Sequence, residues 1–396
     1  MEPENILFGN LHLGMMTPLK VAYIVYDDPD KSFMQGETSM STGLFKDFRI
    51  KISCLPMDYD TYMAHGGFNR IEKSNTVEIK FFDSERSNAG VEKIDYTLKD
   101  WLEMKLLKGD NDVEYYADLS HPMHWWDYIE SDFKSVFRPI ISGIRVLHCH
   151  GKYHGNLLNG IAITISEQDE SVEGLLFGMD NQTENLSFEA LCSRQCDDIK
   201  NLVHLIKYAS TYPLIRSDPE RQPPSPPSVV QVLCLQQLED RISSIHLNPE
   251  CSRAHWDLNP VLLWRQREMI DFLMMMYRIL LTCKSKLLQQ SVASAFVNKE
   301  WARQVTERAT QSYIDMLNRD VSAQKTGMGK LRFYRNCQEH IRPENGVYSS
   351  MGTHTAIVEM IPELIPEVVN AAHFMITGNN FSNYVRILFA DMNWKV

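Results

Sequence analysis

The hydrophobic pattern of this 396-residue chain changes its period near residue 96, and this change limits the folds open to it. Before that point, short runs rich in β-branched and aromatic residues, at 19–27, 48–55 and 76–83, are separated by Gly, Asp, Pro and Ser. After it, apolar residues recur at helical spacing over 98–106 and again over 129–147. The pattern predicts an α+β protein whose N-terminal part is rich in strands and whose remainder is mostly helical.

The same pattern predicts three domains. We expect an atypical strand-rich lobe over 1–95, a helical domain over 96–264 and a second helical domain over 265–396, because a chain of this length holds about two to three folding units. Helices are predicted within 235–247, 260–288 and 296–374. The last stretch is predicted to break at Gly327, Gly329, Pro343, Gly352, Pro362 and Pro366.

Composition excludes several classes of protein. The net charge of −11 excludes a protein that coats nucleic acid along its whole surface, so a nucleic-acid site must be a local patch. The most apolar segment, 272–283, is about half the length of a membrane-spanning helix and contains Arg278. The first residues do not resemble a secretory signal, and eight cysteines without a CxxC pair predict reduced thiols. We therefore expect a cytoplasmic or nuclear protein.

A long amphipathic helix is followed by HGNLLNGI at 154–161 and by LFG at 176–178. This order resembles the catalytic loop and the Asp-Phe-Gly triplet of protein kinases. The resemblance aligns His154 with the first loop residue, Asn156 with the catalytic aspartate, and Ile161 and Leu176 with the two Mg²⁺ ligands. No GxGxxG run or phosphate-binding lysine precedes residue 95. The resemblance therefore implies a pseudokinase, which keeps the fold and has lost the chemistry.

Two further features lie near this loop. The run CDDIKNLVHLIKYA from Cys196 resembles the kinase helix that opens with a structural aspartate, with Asp198 as the match. His148, Cys149, His150 and His154 also lie within seven residues. Because neighbouring side chains on a helix point about 100° apart, we do not expect these four to converge on a metal ion.

The C-terminal half carries a second resemblance, to the kinase/endoribonucleases that act as unfolded-protein-response sensors and to ribonuclease L. In that family the last kinase helix leads directly into a helical kinase-extension-nuclease domain. The tract joining the two is matched in order by Pro249, Arg253, Ala254, Pro260, Trp264, Arg267, Phe272 and Leu273. The segments 296–301, 330–341 and 360–369 resemble later parts of that nuclease domain, so the resemblance covers roughly 98–374.

The segment 330–341 is predicted to be an amphipathic helix on its own pattern. Leu331, Phe333, Tyr334, Cys337 and Ile341 fall on one half of it, and Arg332, Arg335, Asn336, Glu339 and His340 on the other. Pro343 places His340 in the last turn. Residues 296–342 hold nine Lys or Arg against five Asp or Glu, and this excess of four positive charges favours a phosphate partner.

These residue types suit metal-independent RNA cleavage by attack of a 2′-hydroxyl on the adjacent phosphate. His340 is the candidate general acid, Arg335 offsets charge on the phosphorane, and Asn336 orients the phosphate or sugar. Arg332 is the candidate substrate-binding residue. RNCQEH matches the family's Arg-Asn pair with a His four residues after the Asn. One departure is Ser322, where the resemblance expects a tyrosine, and Tyr313 lies too far upstream to replace it.

The predicted function is therefore a pseudokinase-linked RNA endonuclease in RNA processing of the unfolded-protein-response type. The family implies RNA as substrate and a homodimer or a heterodimer with a related kinase/endoribonuclease. No metal or other cofactor is required, and the lost kinase residues argue against ATP or ADP as a structural ligand. The first alternative is a catalytically dead regulatory protein that docks on an active relative, and the second is a protein serine/threonine kinase that binds ATP.

Overall fold

The computed structural model describes residues 6–11, 19–26, 34–42, 45–68, 71, 75–83, 86–115, 125–180, 186–212, 229–245, 260–282, 290, 292–296, 300–341 and 350–377. The strands before Lys51 are described by their backbone alone. The mixture of strands and helices confirms the α+β class. Two compact units are formed, one by Met1–Pro226 with Ile245–His255 and the other by Pro227–Ser244 with Trp256–Val396. The domain boundaries at 95 and 264 stay predictions.

The first unit begins with a closed antiparallel barrel in the strand order β1-β2-β3-β4-β6-β5. Its strands are β1 (Ile6–Leu11), β2 (Leu19–Tyr26), β3 (Met34–Thr42), β4 (Phe45–Pro56), β5 (Ile79–Asp83) and β6 (Asn88–Glu92). Asn10 of β1 pairs with Phe82 of β5 and closes the barrel. Helix α1 (Tyr59–Phe68) connects β4 to β5, and Tyr62 stacks on Phe82 with ring centroids 4.6 Å apart. The strand-rich character predicted for this region is confirmed.

The rest of the first unit is helical around a small sheet. Strands β7 (Tyr96–Thr97), β8 (Ile161–Ile165) and β9 (Val172–Leu176) form an antiparallel sheet, and the helices are α2 (Leu98–Tyr115), α3 (Trp125–Cys149) and α4 (Phe188–Ser210). The apolar face predicted over 129–147 is confirmed, because Ile129, Phe133, Phe137, Ile144 and Leu147 are all fully buried. With Ile140, which is also fully buried, these residues recur every three or four positions, which places them on one side of α3.

The second unit is helical throughout its described part. Its helices are α5 (Val229–Ile245), α6 (Gln266–Thr282), α7 (Trp301–Arg308), α8 (Gln311–Arg319), α9 (Val321–Gln324), α10 (Gly329–His340), α11 (Ser350–Met360) and α12 (Leu364–Thr377). Trp264 is fully buried and meets Phe272 edge-on at 4.8 Å. Trp301 is fully buried against Phe333 of α10. The first contact fixes the start of α6, and the second packs α7 against α10.

Two predicted helix breaks are wrong. Gly352 lies inside α11, where an interior glycine costs only about 1 kcal/mol relative to alanine and does not end the helix. Pro366 is the third residue of α12. The N–H groups of the first turn have no acceptor within the helix, so a proline there removes no hydrogen bond.

Several predictions fall outside the described residues. They include Pro249, Arg253 and Ala254 of the joining tract, the helix-ending Pro343, and the side chains of the first strands where a kinase lysine was sought. Among the described helices, none combines the length and apolar composition that a membrane crossing requires. The described cysteines are all thiols, namely Cys54, Cys149, Cys192, Cys196, Cys234 and Cys337.

Candidate functional site

Helix α10 carries the predicted nuclease residues, and its two faces are those expected from the sequence. Leu331, Phe333 and Cys337 are buried, whereas Arg332 and His340 are exposed. The helix ends at His340, so the imidazole lies in the last turn as predicted. The hydrophobic contacts of the buried face therefore fix which side chains of α10 reach solvent.

The start of α10 is fixed by close packing against the preceding turn. A Cβ atom at Gly329 would collide with the carbonyl oxygen of Ala323. Only glycine permits this approach of two backbone segments. Ala323 belongs to α9, which begins after Asp320, and the Asp320 side chain accepts a hydrogen bond from the Ala323 N–H at 3.2 Å. The position of α10 is thus tied to that of Asp320.

A buried ion pair anchors α10 to α12, and the sequence did not reveal it. The side chain of Lys330 is completely buried, and its Nζ donates to Glu367 Oε2 at 2.6 Å and lies 3.4 Å from Glu363 Oε1. One of the cations counted as favouring a phosphate partner is therefore neutralised inside the protein. A buried ammonium without these carboxylates is strongly unfavourable, so the pair also fixes the register of the two helices.

A second buried network holds the middle of α10 against α11. Tyr334 Oη lies 2.8 Å from His354 Nδ1, and Gln338 Nε2 donates to Tyr334 Oη at 3.3 Å. Burial lowers the pKa of His354 to about 4 and raises the pKa of the Tyr334 hydroxyl. Both groups are therefore neutral at pH 7, and the imidazole tautomer decides which of the two donates in this hydrogen bond.

Four polar side chains near the end of α10, namely Arg335, Asn336, Glu339 and His340, form a chain of contacts on the solvent side. Arg335 Nη1 donates to Asn336 Oδ1 at 3.0 Å, and Arg335 Nη2 lies 2.5 Å from Glu339 Oε2. The same carboxylate oxygen lies 4.0 Å from His340 Nε2. The guanidinium of Arg335 also stands over the ring of Tyr277 at 5.8 Å. Arg335 therefore contacts Asn336 directly, and Glu339 lies between Arg335 and His340.

Arg332, the predicted substrate-binding residue, lies on the same helix but is paired separately. Its Nε lies 2.7 Å from Asp320 Oδ2. The other oxygen of Asp320 accepts from Ser322 Oγ at 2.8 Å. Ser322, which stands where the resemblance expects a tyrosine, is thus joined to Arg332 through one carboxylate. It presents a small exposed hydroxyl at this position.

Tyr313 is half-buried and hydrogen-bonds the side chain of Thr353. It lines a cavity of about 310 Å³ together with Arg308, Thr310 and Glu359. Burial raises the pKa of Tyr313, and Cys337 on the buried face of α10 contributes to this shift. None of these contacts involves Arg335, Asn336 or His340, so they give no support to Tyr313 as a substitute for the tyrosine that the resemblance expects.

The loop after α3 is organised by one buried carboxylate. Asp198 Oδ2 accepts from the backbone N–H of His154 at 2.6 Å and lies 3.0 Å from His148 Nε2, and Oδ1 accepts from the N–H of Gly155 at 2.8 Å. Gly155 has a φ of +80°, and a Cβ there would collide with the carboxylate of Asp180. Burial lowers the pKa of His154 to about 4, so its imidazole is neutral at pH 7.

The predicted position of Asp198 is wrong in one respect. Helix α4 begins at Phe188, after Ser187, whose hydroxyl accepts from the Ala190 N–H at 3.2 Å. Asp198 therefore lies about three turns into the helix and does not open it. The helix starts earlier than the apolar spacing indicated, because Ser187 caps it and the sequence between Ser187 and Cys196 mixes polar with apolar residues.

The positions aligned with the kinase carboxylates carry no acidic side chain. Asn156 Nδ2 donates to the carbonyl of Gly178 at 3.2 Å. Ile161 and Leu176 face each other across β8 and β9 and are buried. Their side chains therefore belong to the core of the small sheet. Within the described ranges, no group of three or more His, Cys, Asp or Glu side chains is arranged to hold a metal ion.

Comparison of the chain with models of known protein families finds no match. Comparison with curated proteins also finds no match. The relationship to the kinase/endoribonucleases is accordingly a proposal, supported by the residues and contacts of this chain.

Proposed function

We propose that the chain is a metal-independent RNA endonuclease whose nuclease residues lie on α10. The observation that carries the proposal is the clustering of Arg335, Asn336 and His340 on the solvent side of one helix. The His340 side chain is 57% exposed, so an RNA strand can reach it. The two buried networks behind the helix, at Lys330 and Tyr334, keep this face in place without taking part in the reaction.

In the proposed reaction, the ribose 2′-oxygen attacks the adjacent phosphorus and the bond from phosphorus to the 5′-oxygen breaks. His340 in its protonated form gives a proton to the departing 5′-oxygen, and the proton of the 2′-hydroxyl passes to solvent. Arg335 stabilises the charge on the phosphorane, and its cation–π contact with Tyr277 helps to position the guanidinium. Asn336 hydrogen-bonds the phosphate or sugar. The products are a 2′,3′-cyclic phosphate and a 5′-hydroxyl.

We further propose that the first unit is a pseudokinase with a bilobal kinase-like arrangement. Its supporting features are a strand-rich barrel before the helices, a loop held by buried Asp198, and the antiparallel pair β8–β9 after that loop. Phosphoryl transfer depends on a catalytic base and metal ligands. Asn156, Ile161 and Leu176 supply none of these, so neither protein kinase activity nor a required nucleotide is part of the proposal.

A second candidate function is that of a catalytically inactive partner for an active relative. Ser322 favours it, because a serine hydroxyl cannot share acid-base duty as a tyrosine does in the family. In both cases we propose that the chain associates, as a homodimer or with a related kinase/endoribonuclease. Cleavage that rises more steeply than linearly with protein concentration supports the homodimer.

The test is incubation of the purified chain with a stem-loop RNA in EDTA over a range of protein concentrations. We expect fragments that end in 2′,3′-cyclic phosphate, and their loss in His340→Ala. The matched control is His204→Ala, which removes an exposed histidine from α4 and should cleave like the parent. Absence of cleavage at every protein concentration favours the inactive-partner function instead.

A further inference from the structure

The guanidinium that the proposed chemistry needs is already bonded to a carboxylate of the same helix. Arg335 Nη2 lies 2.5 Å from Glu339 Oε2, and this is the shortest of the distances given above between Arg335, Asn336, Glu339 and His340. The same oxygen lies 4.0 Å from His340 Nε2. Glu339 thus stands next to both the charge-stabilising residue and the candidate general acid.

A carboxylate and a phosphate compete for the same edge of an arginine. A carboxylate is planar and a phosphate is tetrahedral, but each has two oxygens that accept hydrogen bonds from the guanidinium N–H groups in a similar geometry. A phosphate bound at Arg335 would also lie close to the Glu339 carboxylate, and like charges at about 4 Å repel even near the surface. RNA therefore cannot use the Nη2 group of Arg335 while Glu339 keeps its present position.

The ion pair between Arg335 and Glu339 is weak enough for a phosphate to displace it. Arg335 and Glu339 are 34% and 36% exposed, and exposed pairs four residues apart on a helix are weak. The neighbouring pair differs, because the Asp320 side chain is only 14% exposed and also accepts from Ser322 and from the Ala323 N–H. The Asp320 carboxylate is therefore held at the start of α9, whereas the Glu339 carboxylate is the more exposed of the two.

We propose that the Glu339 carboxylate competes with the RNA phosphate for Arg335. In this way Glu339 masks Arg335 until the substrate turns the carboxylate outward. As a device that regulates cleavage, this competition rests on the proposed nuclease function. As a competition for binding, it applies to any phosphate backbone that reaches α10. It predicts that removing the negative charge of Glu339 strengthens RNA binding through Arg335.

The experiment measures binding of a fluorescent 2′-O-methyl RNA stem-loop, which lacks the attacking hydroxyl, to the full chain by anisotropy. Glu339→Gln should bind about tenfold more tightly than the parent. The matched control is Glu307→Gln on α7, because Glu307 pairs with Arg303 at the same helical spacing and the substitution makes the same change in net charge. The control should stay within about twofold of the parent. In an Arg335→Ala background, Glu339→Gln should also have no more effect than the control.

The outcomes separate the mask from the nuclease function. If Glu339→Gln binds no more tightly than Glu307→Gln, or keeps its full gain without Arg335, the mask is overturned. If unmodified RNA is cleaved in EDTA and Glu339→Gln cleaves it more slowly at low RNA concentration, the mask is again overturned while the nuclease function stands. If binding tightens as expected but neither protein cleaves RNA, the mask stands and the nuclease function fails.

Discussion

Replacement of Lys330 by methionine tests whether the buried ion pair holds α10 in place. Methionine has a similar shape, so the main change is the loss of a fully buried cation that contacts Glu367 at 2.6 Å and Glu363 at 3.4 Å. The two carboxylates, 9% and 19% exposed, are then left without their cation. Removing one member of a buried pair costs about 3 to 5 kcal/mol, and repulsion between Glu363, the residue before α12, and Glu367 in its first turn adds a few tenths.

The assay is hydrogen exchange of the α10 amides in the full chain, because two units make a single unfolding midpoint ambiguous. We expect protection of α10 to fall by about 3 to 5 kcal/mol in Lys330→Met. The control is Lys325→Met, which removes an exposed lysine and should change protection by less than about 0.5 kcal/mol.

A second variant, Lys330→Met with Glu367→Met, tests whether the loss of α10 protection comes from the buried negative charge that Lys330→Met leaves behind. Replacing both charges by apolar groups removes most of the desolvation penalty, so it should recover at least half of the lost protection. A loss below about 1 kcal/mol in the single variant, or no recovery in the double variant, contradicts the assignment of Lys330 as the anchor of α10.

Three further changes test other parts of the structure. Because the pKa of His354 is lowered from 6.5 to about 4, the unfolded chain binds the extra proton first, and stability should fall by about 3 kcal/mol as pH drops from 6.5 to 4. Hydrogen-exchange protection of the α11 amides, corrected for the intrinsic pH dependence of exchange, should show this component in the parent and not in His354→Gln; an equal pH dependence in both proteins excludes it. Ser322→Tyr should raise RNA cleavage at least about tenfold by supplying the hydroxyl expected from the family, whereas Ser322→Phe should not; equal rates exclude that role. Gly155→Ala combines a φ of +80° with a collision against Asp180 and should cost about 1 to 3 kcal/mol, seen as faster proteolysis of the 154–160 loop. Gly151→Ala, where the nearest atom lies 4.0 Å away, should cost less, and equal proteolysis of the two variants contradicts the collision.

The sequence predicted those features that depend on one local pattern. The apolar face of α3 and the two faces of α10 follow directly from the 3.6-residue period, because burial on one side of a helix selects apolar residues there. Strand β3, with the polar sequence MQGETSMST, carries no such pattern. It is a strand because its backbone pairs with β2 and β4 on either side.

The site could be predicted only in part, for the same reason. Arg335, Asn336 and His340 lie on one helix, so spacing alone places them together. The partners of Lys330 lie 33 and 37 residues further along the chain, and the bond between Tyr334 and His354 spans 20 residues. Such contacts depend on how helices pack, which residue spacing within one helix does not encode. Glu339 was visible on the polar face, but its bond to Arg335 depends on the rotamers of both side chains.

The most direct test of the account is cleavage of two matched stem-loop RNAs in EDTA, followed by analysis of the fragment ends. One RNA carries the natural 2′-hydroxyl at the cut position and the other a 2′-deoxyribose. We expect that only the first RNA is cut, that its fragments end in 2′,3′-cyclic phosphate, and that Asn336→Ala slows the reaction. Cleavage of the deoxy substrate at the same rate, or no cleavage of either RNA at any protein concentration, contradicts the assignment of RNA cleavage to α10.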